Sequence, residues 1–199
     1  MPVQGPEPTR RFFVGLDLGQ RRDYTALVVV EKITTPLWGD QWLYARKNET
    51  GTTRLHVRRA EKVRLSTPYP EIVDWVKSIV TRPEFQKRTA LTVDSTGVGA
   101  PVVDLLRKAQ LGVNLVPVTI TGIGQAHNPV TGTIPRNVLL TNLQLAIQQD
   151  EIEIAPTCAQ IEALRKELRH LKIEGTLHGH HDDLSIALAL AVWSSKKNH

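Results

Sequence analysis

The chain has 199 residues, 41% of them hydrophobic, and carries 25 Lys and Arg against 20 Asp and Glu, which gives a formal net charge of +5 and a pI near 9.5. This length suffices for one domain with its own core, and the lone cysteine, Cys158, excludes an internal disulfide and fits a reducing cytoplasm. No apolar run approaches the roughly 20 residues of a membrane span, so we expect a cytoplasmic protein with no membrane partner.

The first ten residues, MPVQGPEPTR, are rich in proline and polar side chains and lack the charged-then-apolar order of a signal peptide. We therefore expect residues 1–10 to form a flexible tail or linker. No internal repeat or compositional break follows, so residues 11–199 are expected to form a single domain.

Two apolar runs around a short polar turn predict a β-hairpin of Phe12–Leu18 and Ala26–Val30. Asp17 ends the first run, where a strand buried on both faces would normally carry Val or Ile. Isolated buried charge is costly, so we expect Asp17 to be paired, neutralised or metal-bound, unless the turn is an ordinary Asp-rich one. Across the turn, Asp23 offers a supporting carboxylate.

The segments Gln41–Arg46 and Leu55–Leu65 are predicted to be extended, and with the hairpin we expect three antiparallel strands in this part of the chain. Tyr69–Phe85 has helical spacing and predicts an amphipathic helix on the sheet. A short buried strand, Ala90–Asp94, then ends in a carboxylate and leads through a glycine-bearing loop into the helix Val102–Ala109.

A helix between two strands makes them parallel, so the next predicted strand, Asn114–Ile120, implies a mixed sheet. Thr121–Asn137 is a long loop with three Gly and two Pro, either a functional surface or a flexible connector. The remaining predicted elements are the helix Val138–Gln149, a brief strand or turn at Glu151–Ile154, a helix through Leu168 that Thr157 could cap, a hairpin arm at Leu168–Ile173, and a final apolar helix that opens at residues 180–183.

Three carboxylates from distant parts of the chain occupy similar positions, since Asp17 and Asp94 end predicted strands and Asp183 begins the last helix. In a sheet with these two strands side by side, a helix packed on the sheet would bring the third carboxylate close. Carboxylates so close repel one another unless a cation neutralises them. Oxygen ligands favour Mg²⁺ or Mn²⁺, and two such ions can activate a water and stabilise the leaving oxygen of a displacement at phosphorus. The pattern therefore indicates phosphodiester hydrolysis.

The turn before the last helix contributes further candidates. Asp182 is either a fourth metal ligand or a helix cap. The helix-cap interpretation applies to the adjacent Asp183 as well. We expect His181 to support the site through proton transfer or a hydrogen bond to a ligand. The rival is a zinc site on His178, His180 and His181, but neighbours at this spacing seldom point inward together and no cysteine pair accompanies them.

The basic residues are clustered, and the clusters favour a polyanionic substrate, although many such runs are only solvated faces. Arg21 and Arg22 lie beside Asp17 in the sequence and are predicted to contact the scissile strand. Arg58 and Arg59, on a predicted strand, are the second predicted DNA-binding pair.

Three motifs together resemble the nuclease domain of the large terminase subunit of tailed bacteriophages: GLDLGQRRDYT, LTVDSTGVGAPVVDLL and HDDLSIALALA. The stretch IPRNVLLTNLQLAIQQDEIEIA is also similar to the segment that precedes the last motif in terminases. The resemblance spans Phe12 to Trp193. Each motif is weak alone, whereas their order, spacing and strand or helix setting are together fairly specific. The family belongs to the RNase H-like superfamily and is close to the RuvC-type resolvases.

This resemblance implies an α/β fold, an RNase H-like mixed five-stranded sheet flanked by helices, and two-metal cleavage of double-stranded viral DNA during packaging. By position, Asp17 would contact both Mg²⁺ or Mn²⁺ ions, Asp94 one of them, and Asp183, with Asp182, would complete the site, with Asp23 as a supporting carboxylate. The implied partners are double-stranded DNA, an ATPase domain, a small terminase subunit and a portal, in the host cytoplasm. No GxxxxGK[ST] loop is present, so we expect an excised carboxyl-terminal domain or a stand-alone relative.

Three alternatives stay open on the sequence. A RuvC-type Holliday-junction resolvase would use the same metals but needs a dimer and branched DNA. A sugar-kinase or chaperone-like ATP-binding fold opens with a similar hairpin but normally needs a longer chain with a second lobe. A non-catalytic DNA-binding module would keep the acidic residues as a structural network.

Overall fold

The computed structural model describes residues 5–19, 23–41, 51–97, 99–122, 132–171 and 182–197. Within these ranges one sheet contains seven strands: β1 (Thr9–Asp17), β2 (Ala26–Pro36), β3 (Gly51–Lys62), β4 (Thr89–Asp94), β5 (Asn114–Thr121), β6 (Thr133–Pro135) and β7 (Ile152–Ile154). The described helices are α1 (Tyr69–Val80), α2 (Gly99–Lys108), α3 (Arg136–Gln148), α4 (Ile161–His170) and α5 (Asp183–Lys196).

The strands stand in the order β6-β5-β4-β1-β2-β3-β7. The first three strands of the chain form an antiparallel meander, whereas β4 runs parallel to β1 and β5 runs parallel to β4. The predicted α/β architecture, a mixed sheet flanked by helices, is confirmed. The predicted number of five strands is wrong, because β6 and β7, of three residues each, extend the two edges. Strand β7 lies within the segment Glu151–Ile154, predicted as a brief strand or turn, whereas β6 lies inside the predicted loop Thr121–Asn137.

Alternation along the strands divides the interior into two cores, one on each face of the sheet. Phe13, Ala26 and Ala90 face α3, α4 and α5. Val14 and Leu91 face α1 and α2. Helices therefore cover both faces, and α5 lies in the larger of the two cores.

Helix α5 is buried from Asp183 to Ser195, as its almost entirely apolar sequence requires. It packs directly on β1 at Gly15, where a Cβ atom would lie 1.8 Å from the carbonyl oxygen of Ala187. Only glycine allows this approach. The close packing fixes the first turn of α5 beside the carboxyl end of β1.

Two predicted helices differ from the observed ones. Helix α1 ends at Val80 because Arg82 precedes a proline and is held extended, and a 3₁₀ turn follows at Pro83–Phe85. Helix α4 continues to His170, so the predicted hairpin arm at Leu168–Ile173 is wrong where the structure describes it. Leu168 packs against the core from the same helix as Leu164, at the spacing of one helical turn.

Several boundaries also shift. Strand β1 begins at Thr9, inside the predicted tail, because Thr9 pairs with Thr34 on β2. Helix α4 begins after Gln160 with no side-chain cap, so Thr157 does not cap it. Most of the predicted strand Gln41–Arg46 and the middle of the loop Thr121–Asn137 lie outside the described residues. The division into residues 1–10 and 11–199 otherwise stays a prediction. None of the described helices has the length and apolarity needed to cross a membrane.

Candidate active site

Asp17 and Asp94 are the last residues of two adjacent parallel strands and are partners in the register of β1 and β4. Neighbouring strands lie about 4.8 Å apart, and register partners point to the same face. Asp17 lies two residues after Gly15, and Asp94 lies four residues after Ala90. An even spacing along a strand puts side chains on one face, so both acids point toward α5, as Gly15 and Ala90 do. The first two predicted site residues therefore lie side by side.

The third predicted residue joins them through α5. This helix begins at Asp183, with Asp182 at its N-cap position, and its first turn lies against the end of β1. An open cleft of about 360 Å³ forms there, and its charged lining residues are Asp17, Asp23, Asp94, Asp182, Asp183 and Arg136. The structure thus gathers the predicted carboxylates from three distant parts of the sequence into one cleft.

The carboxylates of the cleft disfavour each other's charge. Burial, followed by the repulsion of Asp94, Asp183 and Asp182, raises the pKa of Asp17 well above its usual value, while Arg136 opposes the rise. Burial also raises the pKa of Asp94, against hydrogen bonds from Thr96, whose backbone N–H donates to Asp94 Oδ1 at 2.8 Å. The cleft is therefore short of positive charge.

A divalent cation would supply that charge. Among the described residues, no three acidic, histidine or cysteine side chains stand in a ready-made metal cage. The chemistry of the donors nevertheless fits a hard cation, because the acids of the cleft offer only oxygen and two of them have pKa values raised by burial. Asp17, Asp94, Asp182 and Asp183 are the residues that would hold Mg²⁺ or Mn²⁺.

Arg136 is a site residue that the sequence reading missed. It is the first residue of α3, and its guanidinium donates a hydrogen bond to Asp182 Oδ2. Asp182 occupies the N-cap position of α5, but its side chain makes no cap hydrogen bond to that helix. The segment IPRNVLL offered one sequence signal for Arg136: this basic residue directly follows a proline at the predicted start of a helix.

Lys62 and Glu167 were also missed. Lys62 Nζ lies 2.7 Å from Glu167 Oε1 and 3.0 Å from Asp183 Oδ2. Burial alone would lower the pKa of Lys62, but its hydrogen bonds to these two carboxylates raise it. Burial raises the pKa of Glu167, and Lys62 opposes the rise. No motif in the sequence singles out either residue, because their partnership depends on the packing of β3, α4 and α5.

Of the remaining predicted residues, Asp23 is exposed and lines the cleft, and its supporting role stays a prediction. Arg21, Arg22 and His181 lie outside the described residues, as do His178 and His180 of the rival zinc site.

Arg58 and Arg59 lie away from the cleft. Arg58 forms an ion pair at 2.6 Å with the buried Glu31. The register partner of Glu31 on β1 is Phe12, which precedes Asp17 at the end of that strand by five residues, or about 16 Å. Arg59 pairs at 2.5 Å with Glu61 and alternates with Ala60, so it points to the face opposite α5. The DNA-binding role of both residues stays a prediction.

Comparison with known proteins gives limited information. No family model and no curated protein matches the sequence. Among solved structures, the chain is similar to the RuvC structure from Thermus thermophilus, with 18% identity, 91% of each chain covered and a TM-score of 0.40. A likeness of this size does not decide function, so the functional conclusion must rest on the cleft itself.

Proposed function

We propose that this protein is a divalent-metal-dependent endonuclease that hydrolyses phosphodiester bonds of double-stranded DNA. The observation that carries the proposal is the meeting of Asp17, Asp94, Asp182 and Asp183 in one open cleft at the carboxyl ends of β1 and β4. Groups of acids in a cleft, with pKa values raised by burial and by one another, are typical of functional sites.

The four carboxylates would hold two Mg²⁺ or Mn²⁺ ions, with Asp17 between them as the resemblance to terminases implies. Bound metal would supply an activated water and stabilise the leaving oxygen at phosphorus. The chain itself holds the ligands in place: the Thr96 N–H fixes one oxygen of Asp94, and the packing of α5 at Gly15 fixes the helix that starts with Asp183.

Arg136 is the cation that lines the described part of the cleft. Its side chain is 23% exposed and binds Asp182, and it lines the cleft that a ligand would enter. A guanidinium is well suited to a phosphate oxygen because its N–H groups form a rigid fork. We assign Arg136 to contact with the scissile phosphate, beside the roles predicted for Arg21 and Arg22.

Within this class, the motif order favours the nuclease domain of a genome-packaging terminase, which would act with an ATPase domain, a small subunit and a portal. This finer assignment rests on the resemblance of the three motifs alone. Binding to linear duplex without preference for a four-way junction is the behaviour expected of it. A strong preference for junctions, together with dimer formation, would assign the chain to the resolvases instead.

The test is digestion of supercoiled plasmid by the purified chain with Mg²⁺, Mn²⁺, Ca²⁺ or chelator. We expect nicking and linearisation with Mn²⁺ and Mg²⁺ and none with chelator. Asp74→Asn, on α1 across the sheet from the cleft, is the matched control for substitutions of the site carboxylates. Duplex binding without cleavage under every metal condition would favour a non-catalytic DNA-binding module.

A further inference from the structure

Lys62 lies in the same row of the sheet as the two strand-end carboxylates. Lys62 pairs with Ala26, Ala26 pairs with Asp17, and Asp17 pairs with Asp94. Lys62 lies two residues after Ala60, whose side chain is on the α5 face. The side chain of Lys62 therefore lies on that face too, together with both acids. The small Ala26 between them leaves room for the lysine to reach the start of α5.

The ammonium group of Lys62 connects two buried carboxylates. Its side chain is 15% exposed, and those of its partners Glu167 and Asp183 are 9% and 7% exposed. The ring of Tyr24 lies 5.2 Å from the same ammonium nitrogen. Removing one member of such a buried group leaves an uncompensated charge, so these contacts hold the three side chains in fixed positions.

Glu167 binds the first turn of α5 as well. While Oε1 of Glu167 accepts from Lys62, its Oε2 accepts the backbone N–H of Ser185 at 2.9 Å. The first N–H groups of a helix have no partner within the helix, and Asp182 does not supply one here. Glu167 therefore caps α5 from a neighbouring helix and connects it to β3 through Lys62.

We propose that Lys62 and Glu167 are positioning residues that hold Asp183 in the orientation needed to bind metal. The inference rests on the proposed nuclease function. Among the described residues, Asp183 lines the cleft while Lys62 and Glu167 do not, so the pair stands behind the carboxylate and outside the substrate space. Asp183 accepts the Lys62 hydrogen bond through Oδ2 and also lines the cleft, so the lysine contacts a carboxylate that faces the site. Groups that orient a metal ligand in this way typically change metal affinity or activity about 10- to 100-fold when removed.

The experiment compares the full chain with Lys62→Met, Lys62→Arg, Glu167→Gln and Lys62→Met/Glu167→Gln. Lys77→Met, an exposed lysine on α1 across the sheet, is the control. Three quantities are measured: Mn²⁺ affinity by calorimetry without DNA, kcat and KM for plasmid nicking, and the salt dependence of duplex binding. Circular dichroism reports folding. Lys62→Met alone leaves two buried carboxylates, Glu167 and Asp183, without the lysine. The double variant removes the charge of Glu167 and so keeps the test open if the single variant unfolds.

We expect Lys62→Met and the double variant to lower kcat and Mn²⁺ affinity about tenfold with KM and salt dependence unchanged. Lys62→Arg should keep most of the kcat and of the Mn²⁺ affinity, because arginine retains the positive charge and the hydrogen-bond donors. Unchanged kcat and Mn²⁺ affinity in Lys62→Met would overturn the positioning role and leave the nuclease proposal standing. Tighter Mn²⁺ binding by Lys62→Met would also overturn the positioning role, since Lys62 would then only repel the cation. A raised KM with a smaller salt slope would overturn it as well, because Lys62 would then contact a DNA phosphate. A wild-type chain that neither binds Mn²⁺ nor cleaves DNA would overturn both proposals.

Discussion

Asp17 and Asp94 are register partners at the carboxyl ends of adjacent parallel strands, and the pKa of each carboxyl group is raised by its burial. Two neighbouring acids of this kind destabilise the metal-free protein when both are ionised. A bound cation, as proposed above, would remove this cost. The first two predictions follow from this pair.

Substitution of the site carboxylates should abolish cleavage and leave the fold intact. We expect Asp17→Asn, Asp94→Asn and Asp183→Asn each to reduce metal-dependent plasmid nicking at least about a hundredfold, a change of about 2.7 kcal/mol in the barrier, because each removes a metal ligand. Asp74→Asn should cleave normally. Retained cleavage in two of the three site variants would refute the assignment.

The metal-free protein should become less stable as the pH rises. The pKa of Asp17 is higher in the folded state than in the unfolded state. Asp17 therefore leaves the free energy of unfolding unchanged below its unfolded-state pKa of about 3.9 and lowers it as the pH rises through the folded-state pKa. Each unit of raised pKa costs about 1.4 kcal/mol. Asp17→Asn should therefore raise the melting temperature in chelator at pH 7 and change it little near pH 4. Thermal melts between these pH values check the expectation, and added Mn²⁺ should stabilise only the wild type strongly. A melting temperature for Asp17→Asn below that of wild type at pH 7 would contradict it.

Arg136 should act on DNA binding and not on folding. Arg136→Met is expected to raise KM for plasmid and to lower the slope of binding against salt by about one unit, because one phosphate contact is lost. Titrations of a labelled duplex at several salt concentrations give the slope. Arg107→Met, which removes an exposed arginine of α2 on the other face, is the control. Equal slopes for the two variants would exclude the phosphate contact.

Arg58 should stabilise the fold whether or not it binds DNA. Arg10 and Arg58 hold the pKa of the buried Glu31 below its usual value, although burial raises it. A lowered folded-state pKa contributes stability above the unfolded value and loses it as the pH falls. Arg58→Met should therefore lower the free energy of unfolding at pH 7 by about 1 kcal/mol, since this arginine is 43% exposed and screened by water. Urea titration measures the loss, which should shrink toward pH 3. The salt slope of duplex binding, measured on the same variant, tests the predicted DNA contact separately.

Gly15 should tolerate no side chain. Gly15→Val would place a Cβ atom against the carbonyl of Ala187 and force α5 away from β1, which we expect to lower the free energy of unfolding by about 3 kcal/mol and to lower Mn²⁺ affinity. Gly122→Ala is the control, because a Cβ atom there meets no other atom within 4 Å. Denaturant titration and calorimetry measure the two effects. Normal stability in Gly15→Val would mean that the close packing of α5 does not hold the site.

The sequence by itself determined the strands and acids that form the centre of the site. The change from period 2 in Phe12–Leu18 to helical spacing after Tyr69, and the carboxylates that interrupt apolar runs at Asp17 and Asp94, are local properties of the chain. Local pattern is sufficient there because a buried strand and an apolar helix each depend mainly on their own residues. The same reasoning missed β6, whose three residues pair with the edge of β5.

Only the tertiary structure decided which charged groups surround those acids. Lys62, Arg136 and Glu167 belong to three different elements, and no motif distinguishes Lys62 or Glu167 from basic and acidic residues on a solvated face. Arg58 shows the converse, since a position that favoured DNA binding in the sequence is paired with a buried glutamate. Electrostatic partnership depends on distance in space, and that distance is set by how α4 and α5 pack on the sheet.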